Sequence, residues 1–178
     1  MAERRNAVRI VAAPAGVSPD VGIDAVVVED DTHLVLGADR VARESPEPLE
    51  DLLAAAAAEE AAEPGTAVVE DATPLRIHAI VHDLSAEPTW REEWVSRALE
   101  AALHETEARG LRSIALPALG TLHGTLTGRR FLELLAEVLA RTSVAHVETI
   151  WLVVPLGMGQ VALSALGGLR GFALEVRS

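Results

Sequence analysis

The sequence predicts an α/β fold, a three-layer α/β/α sandwich built around a mixed central sheet. Seven candidate strands and four candidate helices alternate along the 178 residues. One candidate strand, Asp24–Val28, is almost wholly apolar, which is typical of a strand covered on both faces inside a parallel or mixed sheet. Because neither an internal repeat nor a long polar linker divides the chain, we expect a single domain over residues 1–178.

The strands are predicted from short runs rich in β-branched residues that end near Pro, Gly or Asp. They are Val8–Val11, Asp24–Val28, Thr66–Val69, Leu75–Val81, Leu111–Leu116, Val147–Val154 and Phe172–Val176. The last run alternates in polarity at the end of the chain, so we expect it at an edge of the sheet.

The helices are predicted from apolar stripes that lie between capping residues and a terminating Gly or Pro. They are expected from Ser45 to Pro64, from Thr89 to Gly110, from about Thr127 onward, and from about Gln160 to Leu166. Glu92 follows Thr89 by three residues, which predicts a capping box at the start of the second helix.

The composition excludes several classes of chemistry. All 15 basic residues are Arg, and the chain has no Cys. Without Cys there is neither a disulfide nor a thiolate nucleophile nor a Cys-ligated metal. Without Lys there is neither a Schiff base nor a Walker-type phosphate loop. Any chemistry must therefore come from Asp, Glu, His, Ser, Thr, Arg and backbone amides.

The charge and hydropathy of the chain predict its partners and its cellular compartment. A net charge of -12 argues against nucleic-acid and anionic-membrane partners, because these need a basic surface. No apolar run approaches the roughly 18 residues of a spanning helix. The start, Met1–Arg5, leads directly into a candidate strand and does not resemble a signal peptide. We expect a cytoplasmic protein whose oligomeric state the sequence leaves open.

A glycine-containing loop lies between a predicted strand and a predicted helix. It contains Gly120, His123 and Gly124, and Arg129 follows in the first turn of the helix. Glycine lets the backbone approach a ligand closely, and free amides at a helix start attract anions. The loop is therefore a candidate phosphate cradle or, alternatively, an ordinary turn. His123 is the better of the histidine candidates for catalysis.

Three consecutive carboxylates, Glu29–Asp31, follow the apolar strand. They could hold a divalent metal, act as a general base or bind ribose hydroxyls, or they could form a solvated acidic loop. His78 and His82 are four residues apart in a candidate strand, so they share a face if the strand continues regularly. They could be structural or, alternatively, a metal-binding pair.

The order and spacing of several segments resemble the macro domain family of ADP-ribose-binding α/β/α modules. The family's Gly-x-Ala-x-x-Thr segment and its Ile-His-x-Val strand resemble Gly65–Val69 and Leu75–Val81. Its Ser-Ile-Ala-x-Pro segment and diphosphate loop resemble Leu111–Thr121, and its Val-Asp-Ala-Ile-Val strand resembles Ile23–Val27. The resemblance extends from about Val8 to Leu166 and implies a ligand cleft built around the glycine loop.

Several positions that bind ligand in the family differ here. The family's Asn-Ala-Ala-Asn, whose second Asn meets the distal ribose, corresponds to Val28–Asp31, and the only Asn in the chain is Asn6. The family's Gly-Gly-Gly loop is reduced to Leu36–Asp39, and Leu122 replaces a Gly after the Thr of the second loop. The family's adenine-binding Asp corresponds to Val17, while Asp20 lies close by but needs a shift of the alignment.

The residues and the resemblance together give a set of candidate site residues. The candidate catalytic residues are Asp30, Asp31 and His123. The candidate ligand-binding residues are Gly37, Ala118, Leu119, Gly120, Thr121, Leu122, His123, Gly124 and Arg129. Neither a resident metal nor a cofactor is expected.

Three functions follow from these residues. The leading hypothesis is a divergent module that binds ADP-ribose or a related nucleotide weakly or in an altered way, without efficient catalysis. The second is a hydrolase of ADP-ribosyl or phosphoester bonds that uses Asp30 or Asp31 as base. The third is an interaction module whose pocket is filled by Leu36 and Leu122, similar in layout to the macro-like amino-terminal domain of leucine aminopeptidases.

Overall fold

A seven-stranded mixed sheet forms the centre of the structure, a computed structural model that describes residues 7–37 and 60–178. Its strands are β1 (Val8–Pro14), β2 (Ala25–Asp31), β3 (Ala67–Glu70), β4 (Leu75–His82), β5 (Ser113–Pro117), β6 (Thr149–Val154) and β7 (Phe172–Val176). They lie in the order β3-β4-β2-β5-β6-β1-β7, and β3 alone is antiparallel to its neighbour. The predicted mixed sheet is confirmed, with β7 at an edge.

Three helices in the described part of the chain follow the strands: α1 (Glu92–Ala108), α2 (Gly128–Arg141) and α3 (Gly159–Leu166). The helix predicted from Ser45 to Pro64 falls largely outside the described residues. Buried residues of all three helices belong to one apolar core with the sheet. None of the helices that the structure describes is both long and apolar enough to cross a membrane.

One of two predicted helix starts, that of α2, is present in the structure, whereas that of α1 is not. Helix α2 begins as predicted, because the hydroxyl of Thr127 accepts a hydrogen bond from the Arg130 amide at 3.2 Å. Helix α1 begins only at Glu92, so the predicted capping box at Thr89 is wrong. Trp90 pairs instead with His82 in an isolated β-bridge, which keeps this segment extended.

Alternate residues of the strands divide between the two faces of the sheet, as the period of a strand requires. The helix-facing residues include Ile10, Val27, Ile77, Ile114 and Ile150, and each is at most 2% exposed. The opposite face carries a smaller cluster of Val11, Ala13 and Trp151, covered by Val17 and Ile23. The central strands are thus apolar on both faces, which is why Asp24–Val28 lacks a polar alternation.

Strands β2 and β5 separate towards their carboxyl ends. They pair only at Ala25 with Ile114 and at Val26 with Ala115. After β2 the chain forms β3 and β4 on one side of that strand, and after β5 it forms β6 on the other side. In open α/β sheets such a reversal leaves a crevice beyond the carboxyl ends of the strands, where ligands bind.

The opposite ends of β2 and β5 are held together by Asp24. Its carboxylate oxygen Oδ2 accepts hydrogen bonds from the Arg112 amide at 2.8 Å and the Ser113 amide at 3.0 Å. The Ser113 hydroxyl donates to the Gly22 carbonyl at 2.6 Å and accepts from the Asp24 amide at 3.0 Å. The hydrogen bond from the Arg112 amide, more than any other contact, lowers the pKa of Asp24.

We expect Asp24→Ala to lower the free energy of unfolding by about 1 kcal/mol near neutral pH, a modest cost because the carboxylate is exposed to solvent. The lowered pKa of Asp24 means that this stabilisation is present above the unfolded pKa of about 3.9 and is lost as the pH falls through the folded pKa. Urea unfolding of both proteins at several pH values measures the difference. A difference that grows on acidification would contradict this role.

Candidate functional site

A cleft of about 740 Å³ lies beyond the carboxyl ends of β2, β5, β6 and β1. Its walls are mainly apolar and include Ala15, Val28, Leu36, Pro117, Ala118 and Pro155. Three polar side chains also line it, those of Glu29, Thr121 and His123. The cleft therefore occupies the place where an open α/β sheet presents a ligand site, with a size in the usual range for such sites.

The glycine loop, residues 118–126, forms one wall of this cleft. Gly120 has φ +79°, and its carbonyl accepts a hydrogen bond from the Leu126 amide at 3.1 Å. A Cβ atom at Gly120 would come within 3.0 Å of Val95, and one at Gly124 would meet the Gly120 carbonyl and the Trp90 ring. Both glycines are thus required where the loop packs on itself and on neighbouring side chains.

The carboxylate of Glu29 occupies the inner side of the glycine loop. Its Oε2 accepts a hydrogen bond from the Gly120 amide at 2.8 Å, and its Oε1 accepts one from the His123 amide at 3.3 Å. Its Oε1 also lies 2.6 Å from Nε2 of His82. Only 4% of the Glu29 side chain is exposed. Two loop amides that could bind an anion are therefore already satisfied from within the chain.

Asp31 organises the β2 loop, residues 32–37. Its Oδ1 accepts from the His33 amide at 2.8 Å, while Oδ2 accepts from the Val35 amide at 2.9 Å and the Leu36 amide at 2.8 Å. Leu34, at the centre of the turn, has φ +58°, a conformation uncommon for a residue with a side chain. The buried carboxylate compensates for the strain by satisfying the amides around it.

Asp30 joins the same loop to the edge of the sheet. Its Oδ1 accepts from the amides of Asp31 at 2.9 Å and Gly37 at 3.0 Å, and its Oδ2 lies 2.8 Å from Nδ1 of His78. Nε2 of His78 lies 2.8 Å from Glu70 on β3. The hydrogen bond to Asp30 raises the pKa of His78, and Glu70 adds to the effect, whereas burial opposes it. His78 is thus favoured as a cation between two carboxylates.

The solvated acidic loop proposed for Glu29–Asp31 is wrong, because all three residues belong to β2 and are buried. The shared face proposed for the two histidines is also wrong. The pairing of β2 with β4 shifts between Asp30, opposite Ile80, and Asp31, opposite His82, so β4 carries one extra residue there. Such a bulge reverses the alternation of side chains and sends His78 and His82 to opposite faces.

Within residues 7–37 and 60–178, no three His, Asp or Glu side chains are arranged to hold a metal ion. The two histidines instead pair separately with carboxylates of β2, His78 with Asp30 and His82 with Glu29. Each buried charge is therefore balanced by a neighbour of opposite sign or by backbone amides, as low-dielectric surroundings require.

Some of the candidate site residues line the cleft and others do not. Gly37, Ala118, Thr121, Leu122 and His123 line it. Leu119 and Gly120 are buried behind this wall, and Gly124 lies against Trp90. Asp30 and Asp31 are 0% exposed and do not belong to the described lining, and Arg129 is an exposed residue outside it.

Arg130 is held away from the cleft by three carboxylates, those of Glu92, Glu133 and Glu137. Its hydrogen bond to Glu92 is the largest of the interactions that raise its pKa. This guanidinium therefore does not contact Glu29, whose carboxylate instead accepts hydrogen bonds from the loop amides and lies against His82.

The sequence did not reveal that Glu29, on β2, contacts the glycine loop. The sequence did contain one indication that Glu29 has a partner. A carboxylate at the end of a buried strand needs a hydrogen-bond donor, and a nearby strand supplies His78 and His82. Only the bulge in β4 determines which histidine meets which carboxylate.

We expect His78→Leu to lower the free energy of unfolding by about 1–3 kcal/mol near pH 6, because Asp30 keeps a buried charge and loses a partner. The raised pKa of His78 means that its stabilisation is complete below about pH 6.5 and declines as the pH rises through the folded pKa. Thermal melts should therefore show the largest difference in Tm at acidic pH.

The matched control is His104→Leu, which changes an exposed histidine on α1 and should leave the Tm nearly unchanged. A His78→Leu effect that increases towards alkaline pH would contradict a stabilising imidazolium at this position.

Comparison with known proteins identifies the family. Residues 39–129 match the sequence model of the Macro domain, and no curated protein matches the chain. Among solved structures, the chain is similar to the macrodomain of Thermus aquaticus DarG, at 20% identity and a TM-score of 0.58, with 83% of this chain and 99% of that one covered.

Two further solved structures come from Oceanobacillus iheyensis. Its macrodomain with ADP is 16% identical, with a TM-score of 0.59 and coverage of 80% of this chain and 82% of that one. A variant of that macrodomain with ADPR is 13% identical, with a TM-score of 0.63 and coverage of 91% and 92%. These likenesses show the α/β/α fold of macrodomains, and the sequence match extends over half of the chain. The chain belongs to the Macro domain family.

Proposed function

We propose that this protein is a binding module that holds ADP-ribose or a related nucleotide metabolite weakly in the cleft between β2 and β5, without efficient catalysis. The observation that carries the proposal is the Glu29 carboxylate, which accepts hydrogen bonds from the Gly120 and His123 amides inside an otherwise open cleft. The proposal assigns the whole chain, residues 1–178, to one domain, with a small molecule as its partner and without a cofactor.

Family membership and the position of the cleft support a nucleotide-type ligand. Solved macrodomains of the same fold contain ADP or ADPR. The cleft here lies beyond the strand ends where β2 and β5 separate, which is where open α/β sheets bind ligands. Its apolar walls suit the faces of a nucleobase and a ribose.

The charge of Glu29 supports weak binding of a diphosphate. A ligand phosphate about 4 Å from this carboxylate would be repelled by about 4 kcal/mol at an effective dielectric constant near 20. That penalty corresponds to several hundred-fold or more in affinity. Displacing Glu29 to make room would cost the hydrogen bonds to two amides and the contact with His82.

Burial of the candidate bases supports the absence of efficient catalysis. Both oxygens of Asp30 and both oxygens of Asp31 accept hydrogen bonds or meet a histidine, and neither residue is exposed. A general base must reach the proton that it removes, directly or through one water. The hydrolase hypothesis would therefore require these two side chains to leave their present partners.

The alternative of an interaction module with a filled pocket has less support. It expects Leu36 and Leu122 to close the cleft, whereas 76% of Leu122 is exposed and the cleft stays open. An open cleft of this size favours a small-molecule ligand.

Calorimetric titration with ADP-ribose should give a Kd above about 100 µM, because the anion position is occupied from within. An assay on an ADP-ribosylated peptide should show no multiple-turnover release. Submicromolar binding together with multiple turnover, without added metal, would contradict both parts of the proposal.

A pair of variants tests whether any binding uses this cleft. Ala15→Trp places a large ring at the exposed rim of the cleft and should abolish the weak binding. Ala145→Trp adds the same ring to an exposed position between α2 and β6, at the opposite end of the sheet, and should leave binding unchanged. Equal binding by both variants would place the ligand elsewhere.

A further inference from the structure

We propose that Glu29 serves as a built-in anion of the cleft, so that the preferred ligand is a nucleoside-like molecule that carries no negative charge at the glycine loop. The inference rests on the proposed function, since it assumes that the cleft between β2 and β5 binds a ligand. It makes Glu29 the residue that determines which members of the nucleotide class are accepted.

The position of Glu29 is fixed by three contacts from two elements of the fold. The Gly120 and His123 amides come from the glycine loop, and His82 comes from β4. The side chains of Glu29 and His82 are 4% and 1% exposed, so this carboxylate is part of the folded interior and not a mobile side chain at the rim. A carboxylate bonded to two backbone amides and an imidazole fills the site that a ligand anion would need.

The surroundings of Glu29 offer little compensation for a second negative charge. The cleft lining in the described part of the chain contains no Arg, and the sequence contains no Lys. The His123 ring stands edge-on to His82, with 6.1 Å between ring centroids, so the loop imidazole packs beside a histidine that already contacts Glu29. A ligand anion would meet a like charge, which selects against it.

The remaining polar group of the cleft favours a ligand that donates hydrogen bonds. The Thr121 hydroxyl donates its proton to the Ala118 carbonyl at 2.6 Å, so it can only accept from a ligand. Ribose hydroxyls can donate to this oxygen, whereas ionised phosphate oxygens only accept. Thr121 is a second observation, independent of Glu29, that points to an uncharged polyhydroxylated ligand.

The apolar part of the lining fits the rest of such a molecule. Leu36, Pro117 and Pro155 present flat or branched apolar surface, and Leu122 extends this surface to the exposed rim. A nucleobase is planar and binds between apolar side chains without a charge. An uncharged nucleoside therefore satisfies both parts of the cleft.

The inference is tested by titrating adenosine, ADP and ADP-ribose into the parent protein and into Glu29→Ala, followed by NMR. The parent protein should bind adenosine at least as tightly as ADP-ribose. Removal of the carboxylate frees two amides and His82 for an anion, so Glu29→Ala should bind ADP and ADP-ribose at least about tenfold more tightly than the parent and adenosine about equally.

Glu29→Gln keeps the length of the side chain and one oxygen for the loop amides but removes the charge. It should show a smaller gain for ADP-ribose, and it replaces Glu29→Ala as the test variant if the alanine protein does not fold. Glu93→Gln removes the same charge from an exposed position on α1 and should change none of the affinities.

The outcomes separate the two proposals. If the parent binds ADP-ribose more tightly than adenosine and neither Glu29 variant gains affinity for it, the inference is overturned while the proposed function stands. If none of the three compounds binds to the parent or to a folded Glu29 variant, the proposed function fails and the inference fails with it. A gain for Glu93→Gln equal to that for Glu29→Gln would overturn the inference by showing a general charge effect.

Discussion

Three consecutive buried carboxylates at the end of β2 constrain the end of the fold that carries the cleft. Buried charges are costly unless hydrogen bonds and opposite charges satisfy them. Here Glu29 accepts hydrogen bonds from amides of the glycine loop, and Asp31 accepts them from amides of the β2 loop. Asp30 accepts one from the same loop and also contacts His78. Both loops around the cleft are therefore organised by the chain's own carboxylates.

The hydrogen bonds between Glu29 and the loop amides also affect which ligands the cleft can accept. Backbone amides in a glycine-containing loop can bind either a ligand anion or an internal one. When an internal carboxylate holds them, the loop keeps its shape without ligand, and an anionic ligand must compete against contacts already formed. Glu29 thus stabilises the loop and, by our proposal, shifts ligand preference towards uncharged molecules.

A single extra residue in β4 makes this arrangement possible. The bulge turns His78 to one face of the sheet, towards Asp30, and His82 to the other, towards Glu29. Without it the two imidazoles would lie on one face, and one of the two carboxylates would lack its partner. The pairing of β4 with β2 is consequently as important for the site as the loops are.

The sequence by itself determined the order of the strands and of the described helices along the chain, the mixed sheet and the location of the cleft wall at the glycine loop, because apolar periodicity, capping residues and glycines act locally. The resemblance to the family further predicted that Asp31 stands where the family has its Asn. Only the tertiary structure decided that Glu29–Asp31 are buried, that Trp90 delays the start of α1, and that Glu29 holds the loop amides. These features depend on strand register and on contacts between residues as far as 94 positions apart, which no local pattern specifies.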